Sequence, residues 1–248
     1  MRRYGLIGFP LGHSLSAEYF NARFAREGFA DARYDLFPME RVEDLPALLL
    51  RIPELEGLNV TIPHKERVIP YLNRVDPVAA EIGSVNAIRI THPGGSMHLE
   101  GFNTDGPAFL KTLSDTPVLP GALVLGTGGA AKAVAWALAK RGTRILFVSR
   151  TPSGTQSISY EDLAKDPGLL RSHPVIVNTT PLGMTPHPET LPDIPYALLS
   201  PANLLYDLVY NPAVTLFLRK GAAAGAGTIQ GETMFRLQAA LSYSLFTG

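Results

Sequence analysis

Residues 122–142 read ALVLGTGGAAKAVAWALAKRG, and this stretch decides the fold. An apolar run typical of a buried strand is followed by glycines and then by an alanine-rich helical segment. Gly126, Gly128 and Ala131 form a G-x-G-x-x-A pattern at the junction, where the first glycine permits a tight turn and the second lets the backbone approach a pyrophosphate. The pattern predicts a Rossmann-type nucleotide-binding domain; a glycine-rich turn that binds nothing is the alternative.

The strand after this helix predicts which nucleotide is bound. NAD sites usually carry an acidic residue about 20 positions beyond the glycines, which holds the ribose 2′-hydroxyl. Here the segment RILFVSRT ends in Ser149, Arg150 and Thr151, with no acid. An arginine at this place pairs with a 2′-phosphate through charge-assisted hydrogen bonds, so we expect NADP rather than NAD. The alternative is that Arg150 is a solvated loop residue.

Strand-like and helix-like segments alternate along the whole chain, which favours the α/β class. The first half contains predicted strands at 3–9, 32–37 and 57–62, helices at 15–27 and 42–51, and a hairpin of 85–90 with 97–102. The second half contains strands at 122–125, 144–148, 175–178 and 203–208 and helices at 130–140 and 232–246, with GAAAGAGT (221–228) as a loop. We therefore predict two lobes with a boundary near residue 105. Periodicity alone does not settle whether the last helix returns to the first lobe; our expectation is that 231–248 packs back onto it.

Composition excludes several classes of protein. The 248 residues contain 22 Lys plus Arg, 22 Asp plus Glu and no cysteine. A neutral chain without a basic run predicts no nucleic-acid or anionic-membrane partner. No window approaches the roughly 20 apolar residues of a membrane span. The apolar stretch in the opening MRRYGLIGFP is too short to be the core of a signal peptide. We therefore expect a cytoplasmic protein.

Two catalytic classes also lack support in the sequence. The six histidines (13, 64, 92, 98, 173 and 187) show neither HxxxH nor HExxH spacing, which predicts no metal site. The G-x-S-x-G elbow of many serine hydrolases does not occur.

The segment GLNVTIPHKE places Asn59, Thr61 and Lys65 at a strand end and in the first turn of a helix expected to begin at Pro63. A lysine in a first helical turn faces the positive end of the helix dipole, which lowers its pKa unless a carboxylate compensates. On position alone, a solvated surface lysine is the simpler interpretation.

Other polar residues near helix ends have structural interpretations as well. Ser14 and Ser16 are typical N-caps, and we expect at least one of them to cap the following helix. If Pro107 is the first helical residue, Gly106 is the cap and Asp105 is available for chemistry. Gln238 interrupts an apolar helix stripe, where a hydrogen-bonded core amide is more usual than a ligand contact.

Taken together, eight segments in order resemble shikimate dehydrogenases, from near the beginning of the chain to its last helix. They are GFPLGHSLS (8–16), NVTIPHK (59–65), IGSVNAI (82–88), GFNTDG (101–106), GTGGAAKA (126–133), NTTPLGM (178–184), DLVYNP (207–212) and LQAA (237–240). The resemblance implies a substrate-binding and catalytic domain over 1–104 and a Rossmann-type NADP-binding domain over 105–230.

The resemblance also implies a role for individual residues. Lys65 and Asp105 match the catalytic pair. Residues around the substrate carboxylate correspond to Ser14, Ser16 and Tyr210, and those around its ring hydroxyls to Thr61, Asn86 and Gln238. The cofactor-binding set corresponds to Gly126, Gly128, Gly129, Ala130, Ser149, Arg150, Thr151, Thr180, Met184 and Gly231, with Thr180 and Met184 near the nicotinamide.

Some positions depart from the family pattern. Ala17 and Phe20 stand where a proline and a histidine are frequent, which affects helix packing rather than the expected contacts. Ser149 replaces a usual asparagine, and no second arginine follows at Ser153 or Gly154. These changes weaken the predicted grip on the 2′-phosphate.

The resemblance implies NADPH-dependent, reversible reduction of 3-dehydroshikimate to shikimate in aromatic amino acid (chorismate) biosynthesis, by a monomer or homodimer acting on a small molecule. A broader quinate/shikimate dehydrogenase using NAD or NADP is one alternative. A non-catalytic NADP- or ligand-sensing homologue is another, although such a protein would not need both Lys65 and Asp105.

Overall fold

The computed structural model describes residues 1–12 and 14–248, so that His13 of the segment 8–16 lies outside the described residues. The chain forms two compact units, Met1–Thr104 with Gln238–Gly248, and Asp105–Leu237. Each unit contains a six-stranded sheet together with helices, which confirms the α/β class.

The first unit contains a mixed sheet. Its strands are β1 (Arg2–Gly8), β2 (Ala32–Pro38), β3 (Leu55–Val60), β4 (Arg74–Val75), β5 (Ala87–Thr91) and β6 (His98–Phe102). Its first three helices are α1 (Ser16–Arg26), α2 (Leu45–Arg51) and α3 (Pro77–Ile82). The strand order is β2-β1-β3-β5-β6-β4, and β5 with β6 forms the hairpin that the sequence predicts.

Strand direction brings several connections to one edge of this sheet. Strands β1, β2 and β3 are parallel, whereas β5 is antiparallel to both β3 and β6. The ends of β1, β3 and β6 therefore lie at the same edge as the beginning of β5. We call this the carboxyl edge of the first sheet.

An aromatic cluster forms part of the core of the first unit. Phe20 is only 1% exposed and stacks on Tyr34 with ring centroids 4.3 Å apart. Phe246 joins the same cluster and packs so closely on Gly57 that an added Cβ would lie 2.4 Å from its ring. Phe20, one of the departures from the family pattern, therefore fills the core.

The second unit contains a fully parallel sheet. Its strands are β7 (Gly121–Leu125), β8 (Arg144–Val148), β9 (Ser157–Ile158), β10 (Val175–Asn178), β11 (Leu204–Asp207) and β12 (Gly227–Ile229). The helices that begin in it are α4 (Asp105–Thr112), α5 (Gly129–Lys140), α6 (Tyr160–Lys165), α7 (Gly168–Ser172), α8 (Leu216–Ala223) and α9 (Glu232–Thr247). The strand order is β12-β11-β10-β7-β8-β9.

The division between the units falls inside α9, because Leu237 groups with the second unit and Gln238 with the first. We predicted that residues 231–248 pack back onto the first lobe, and the grouping with the first unit begins at Gln238.

Two predicted elements outside the candidate site differ in detail from the structure. The helix predicted over 42–51 is a short 3-10 turn at Val42–Asp44 followed by α2, which carries Pro46 in its first turn. The loop predicted over 221–228 is wrong at both ends, because α8 continues to Ala223 and β12 begins at Gly227. Alanine favours the helix, and Gly225, with φ of +79°, lies in the short turn between the two elements.

Within residues 1–12 and 14–248, every helix is too short or too polar to cross a lipid bilayer.

Candidate functional site

The turn between β7 and α5 has the geometry that a dinucleotide needs. Gly126 has φ of +107°, and an added Cβ would lie 2.9 Å from Thr179 Oγ1, so only glycine suits this position. Gly128 is the N-cap of α5, and a Cβ built there would meet open space. The backbone at Gly129 and Ala130 begins the helix beneath that space. These residues fit a pyrophosphate bound at the start of a helix.

The carboxyl edge of the second sheet collects the other residues of the predicted cofactor set. Because all six strands are parallel, the segments that follow β7, β8, β10, β11 and β12 lie at this one edge. The chain passes from β7 outward to β8 and β9 and then returns to β10 on the other side of β7. Ligands of open parallel sheets bind where the strand order reverses in this way. The edge carries Gly126, Gly128, Ser149, Arg150, Thr151, Thr180, Met184, Tyr210 and Gly231.

The segment after β8 exposes the predicted 2′-phosphate reader. Arg150 and Thr151 are exposed, while Ser149 is buried and its Oγ accepts the Thr151 N–H at 3.2 Å. Burial raises the pKa of Tyr160, and the positive charge of Arg150 opposes that rise. The exposed Arg150 side chain is accessible at the end of β8, as a contact with a 2′-phosphate requires.

The segment after β10 is shaped by the amide of Asn178. Its Oδ1 accepts from the backbone N–H and the hydroxyl of Thr180, at 3.0 and 2.7 Å. Its Nδ2 donates to Leu182 O at 3.2 Å and to Asp207 Oδ1 at 3.0 Å. These bonds hold the segment that carries Thr180 and Met184.

Asp207 is a buried carboxylate at the end of β11. Its Oδ1 accepts from Asn178 Nδ2 and from the Val209 N–H, each at 3.0 Å. Its Oδ2 accepts from Thr215 Oγ1 at 2.6 Å. Burial raises the pKa of Asp207 to about 6, although its hydrogen bonds act in the other direction. The sequence pattern contained this residue as the first of DLVYNP but gave it no role.

Tyr210 and Gly231 are held by packing within the second unit. The Tyr210 ring stacks on Phe235 with centroids 4.4 Å apart. A Cβ at Gly231 would lie 2.5 Å from Leu208 O, so close packing alone requires glycine there. Its predicted contact with the cofactor stays a prediction.

In the first unit, the connections after β1 and β3 are bonded to each other. Thr61 N–H donates to Ile7 O, and Phe9 N–H donates to Ile62 O, both at 2.9 Å. The connection after β1 carries Ser14 and Ser16, so the structure brings their segment next to that of Thr61.

The prediction that Ser14 or Ser16 is the N-cap of α1 is wrong. Leu15 occupies the N-cap position without a side-chain cap, and Ser16 is the first helical residue. Ser14 Oγ accepts the Ser16 N–H at 3.3 Å and so supports the start of the helix from one position further out.

The surroundings of Lys65 differ from the prediction. Residues 61–68, all of them described, form turns rather than an α-helix, so the argument from a helix dipole is wrong. Lys65 is partly buried, and its carbonyl accepts the Val85 N–H at 2.7 Å. The neighbouring His64 is fully buried, with Nε2 at 2.6 Å from Met39 O. These contacts fix the backbone of Lys65 at the carboxyl edge of the first sheet.

Asn86 connects the beginning of β5 to the segment after β6. Its Nδ2 donates to Thr104 Oγ1 at 2.8 Å, and its Oδ1 accepts the Thr104 N–H at 2.7 Å. Asp105 follows directly and is buried, with 6% exposure. It is the first residue of α4, so the expectation of a helix starting at Pro107 with Gly106 as cap is wrong.

A buried polar network extends from Asn86 and Thr104 to α9. Asn59 Nδ2 donates to Asn86 O at 3.1 Å and to Ser242 Oγ at 2.9 Å, and its Oδ1 accepts from Tyr34 Oη at 2.9 Å. Ser242 Oγ is also 3.1 Å from Thr104 Oγ1. Since residues four apart share a helix face, partly buried Gln238 is on the side of α9 that carries Ser242. Neither Ser242 nor Thr104 was predicted as a site residue, although Ser242 repeats the polar interruption at Gln238 after one turn.

Ser242→Ala should lower the free energy of unfolding by about 1–3 kcal/mol, because it leaves buried hydrogen-bonding groups of Asn59 and Thr104 without this partner. Urea unfolding measures the difference. Ser244→Ala is the matched control, since Ser244 is exposed on the same helix and its hydroxyl donates to Ala240 O. Equal losses in the two variants would contradict the structural role of the network.

Among residues 1–12 and 14–248, no group of three His, Cys, Asp or Glu side chains is arranged to hold a metal ion.

Comparison with known proteins agrees with this arrangement. Residues 6–88 match the family model described as the shikimate dehydrogenase substrate binding domain. The shikimate dehydrogenase (NADP(+)) of Moorella thermoacetica is 38% identical over 265 residues, which cover 98% of this chain and 87% of that protein. The corresponding enzyme of Desulforamulus reducens is 35% identical over 270 residues, with 98% and 89% covered.

Solved structures extend the similarity to the whole fold. Shikimate 5-dehydrogenase from Thermus thermophilus, in complex with NADP(H) and shikimate, has a TM-score of 0.83 at 32% identity and covers 100% of this chain and 94% of its own. Quinate dehydrogenase from Corynebacterium glutamicum, in complex with NAD, has a TM-score of 0.85 at 26% identity, with 100% and 94% covered. On identity above one third over nearly its full length, the chain belongs to the shikimate dehydrogenase family.

Proposed function

We propose that the chain catalyses the reversible, NADPH-dependent reduction of 3-dehydroshikimate to shikimate in aromatic amino acid (chorismate) biosynthesis. The observation that carries this proposal is the near full-length similarity to shikimate dehydrogenases (NADP(+)), at 35% identity over 98% of the chain. It is supported by the segments 59–65 and 101–106, which contain Lys65 and Asp105 and resemble the family. In this reaction the 3-ketone of the substrate becomes the 3-hydroxyl of shikimate, because the ketone carbon gains a hydride and its oxygen gains a proton.

Lys65 supplies the proton. NADPH, when bound, supplies the hydride to the ketone carbon. The Lys65 ammonium hydrogen-bonds the ketone oxygen, stabilises the negative charge that develops there and donates its proton to it. In the oxidative direction, neutral Lys65 accepts that proton from the hydroxyl. Asp105, which the family resemblance pairs with Lys65, is assigned to a neighbouring substrate hydroxyl, from which its carboxylate can accept a hydrogen bond.

The remaining predicted residues hold the substrate in place. We assign the hydroxyls of Ser14, Ser16 and Tyr210 to the substrate carboxylate, to which each can donate one hydrogen bond. Thr61, Asn86 and Gln238 are assigned to the ring hydroxyls, which hydroxyl and amide groups can serve both as donors and as acceptors. This set suits a polyol ring with a single acid group better than an arginine clamp would.

The two units then have separate tasks in our proposal. The first binds the substrate and carries Lys65, in agreement with the family model matched by residues 6–88, and the second binds NADP. We propose that the reaction takes place in the cytoplasm, because 3-dehydroshikimate and shikimate are charged, water-soluble metabolites. A monomer or a homodimer stays the prediction for its assembly.

The direct test is NADPH absorbance in the oxidative direction, with purified protein, shikimate and NADP⁺. Rapid formation of NADPH supports the proposal. The proposal would be overturned if folded protein that still binds NADP⁺ forms no reduced cofactor with any combination of shikimate or quinate and NADP⁺ or NAD⁺. That result would favour a sensing role.

A second candidate, a broader quinate/shikimate dehydrogenase, is favoured by one structural observation. The quinate dehydrogenase of C. glutamicum in complex with NAD shares the fold with a TM-score of 0.85. Comparing kcat/KM for shikimate and quinate, each with NADP⁺ and NAD⁺, separates the two functions. Preference for quinate with NAD⁺ would replace our proposal.

Arg150→Ala should raise KM for NADPH by about 10- to 100-fold, because it removes charge-assisted hydrogen bonds to the 2′-phosphate. KM for NADH, which lacks that phosphate, should change by less than about 2-fold. Arg171→Ala is the control, since Arg171 is an exposed arginine of the same unit on α7. Equal increases for both cofactors would show that Arg150 does not read the phosphate.

A further inference from the structure

We propose that Asp207 is a positioning residue for the nicotinamide half of the cofactor, because its buried carboxylate fixes the segments that follow β10 and β11. The inference rests on the proposed function and on the family resemblance, which implies that Thr180 and Met184 lie near the nicotinamide and Tyr210 near the substrate carboxylate.

The first observation is that Asp207 is an unfavourable residue for stability at its position. Its side chain is fully buried, and no Lys, Arg or His among the described residues forms an ion pair with it. A buried carboxylate without a cation destabilises the fold in which it lies, and an uncharged residue would avoid that cost. A carboxylate in this place therefore points to a requirement other than stability.

The second observation is that the carboxylate determines which way the Asn178 amide faces. Asp207 Oδ1 accepts from Nδ2 of Asn178, so Asn178 Oδ1 must face the other way, toward the N–H and hydroxyl of Thr180. A flipped amide would place two oxygens against each other and leave the Thr180 N–H without this acceptor. The orientation of Thr180 thus depends on Asp207 through one side chain.

The third observation is that the same oxygen holds the segment after β11. Asp207 Oδ1 also accepts the Val209 N–H, next to Tyr210. The other oxygen, Oδ2, is anchored by Thr215, whose hydroxyl also accepts the Leu218 N–H in the first turn of α8. The carboxylate is therefore fixed to a helix on one side and fixes two functional segments on the other.

The adenosine half of the cofactor is assigned to different residues. The assigned residues are those of the turn at Gly126 and Gly128 and of the segment that carries Arg150. The hydrogen bonds of the Asp207 carboxylate hold other parts of the chain, namely the segments after β10 and β11 and the start of α8. Loss of Asp207 should therefore weaken contacts at the nicotinamide end while leaving those at the adenosine end. A general loss of stability would affect both ends alike.

The test compares two ligands by calorimetry with the full chain. NADP⁺ reaches both ends of the site, whereas adenosine 2′,5′-bisphosphate carries only the adenosine end. In Asp207→Ala we expect NADP⁺ to bind at least about 10-fold more weakly, which corresponds to the loss of one buried hydrogen-bonding group. The fragment should bind within about 2-fold of wild type. Asp207→Asn keeps an oxygen for Asn178 and Val209 and should recover most of the affinity for NADP⁺.

Leu205→Ala is the matched control, because Leu205 is a fully buried residue of the same strand that packs in an apolar cluster. It should lower stability without changing the ratio of the two affinities. If Asp207→Ala does not fold, Asn178→Ala removes the connection to Thr180 and answers the same question. Unchanged NADP⁺ affinity, or equal weakening of both ligands, would overturn the proposal.

The outcomes also separate this inference from the proposed function. Wild-type protein that binds NADP⁺ but oxidises neither shikimate nor quinate would overturn the proposed function, and the ratio of affinities would still decide the role of Asp207. Wild-type protein that does not bind NADP⁺ would overturn both.

Discussion

Lys65→Ala should lower kcat for 3-dehydroshikimate reduction about 10²- to 10⁴-fold, with a much smaller change in KM. In the proposed mechanism, the Lys65 ammonium acts chiefly on the charge that develops at the ketone oxygen in the transition state, while the hydroxyl and amide side chains assigned to the ring bind the ground state. Steady-state kinetics with NADPH at saturation measure the two parameters.

The control for this experiment is Arg67→Ala, which removes an exposed positive charge two residues away and should leave kcat unchanged within about 2-fold. Retained binding of NADP⁺ by Lys65→Ala would show that the protein is folded. Equal kcat in wild type and Lys65→Ala would exclude Lys65 from the chemistry.

The second large effect is a pH-dependent contribution of Asp207 to the free energy of unfolding. Burial raises the pKa of Asp207 from 3.8 in the unfolded chain to about 6 in the folded protein. The folded state therefore holds the proton more tightly, and this contribution to stability is fully present below about pH 4 and is lost as pH rises through about 6. The shift corresponds to about 3 kcal/mol.

We therefore expect the free energy of unfolding of wild type, relative to Asp207→Asn, to fall by about 2 kcal/mol between about pH 4 and pH 7. Urea unfolding of both proteins at the two pH values measures it. Asp115→Asn, which changes an exposed aspartate of the same unit, should track wild type within about 0.5 kcal/mol. Parallel pH curves for wild type and Asp207→Asn would contradict the raised pKa.

Features set by neighbouring residues could be predicted from the sequence. Strands β8 and β10 have the predicted bounds, and β7 and α5 differ from prediction by one residue at their starts. An apolar run, a glycine turn and an alanine-rich helix are local signals, so no distant contact was needed to interpret them. The same holds for the hairpin of β5 and β6.

Features set by distant residues could not. Pro63 predicted a helix around Lys65, but hydrogen bonds from Thr61 to Ile7 and from Val85 to Lys65 hold that segment in turns. The bond between Asn59 and Ser242 joins positions 183 residues apart, beyond the reach of any periodicity. The role of Asp207 depends on an amide 29 residues away on the neighbouring strand.

The split composition of the first unit has a consequence for the order in which the protein can form during synthesis. Residues Gln238–Gly248 complete that unit, and they supply Tyr243 and Phe246 to its aromatic cluster and Ser242 to its polar network. The ribosome makes them only after all of Asp105–Leu237. Domains generally fold as units once their residues have emerged. The second unit is therefore complete first, while Tyr4, Phe20 and Phe24 still lack their C-terminal partners. The substrate site that we propose on the first unit forms last.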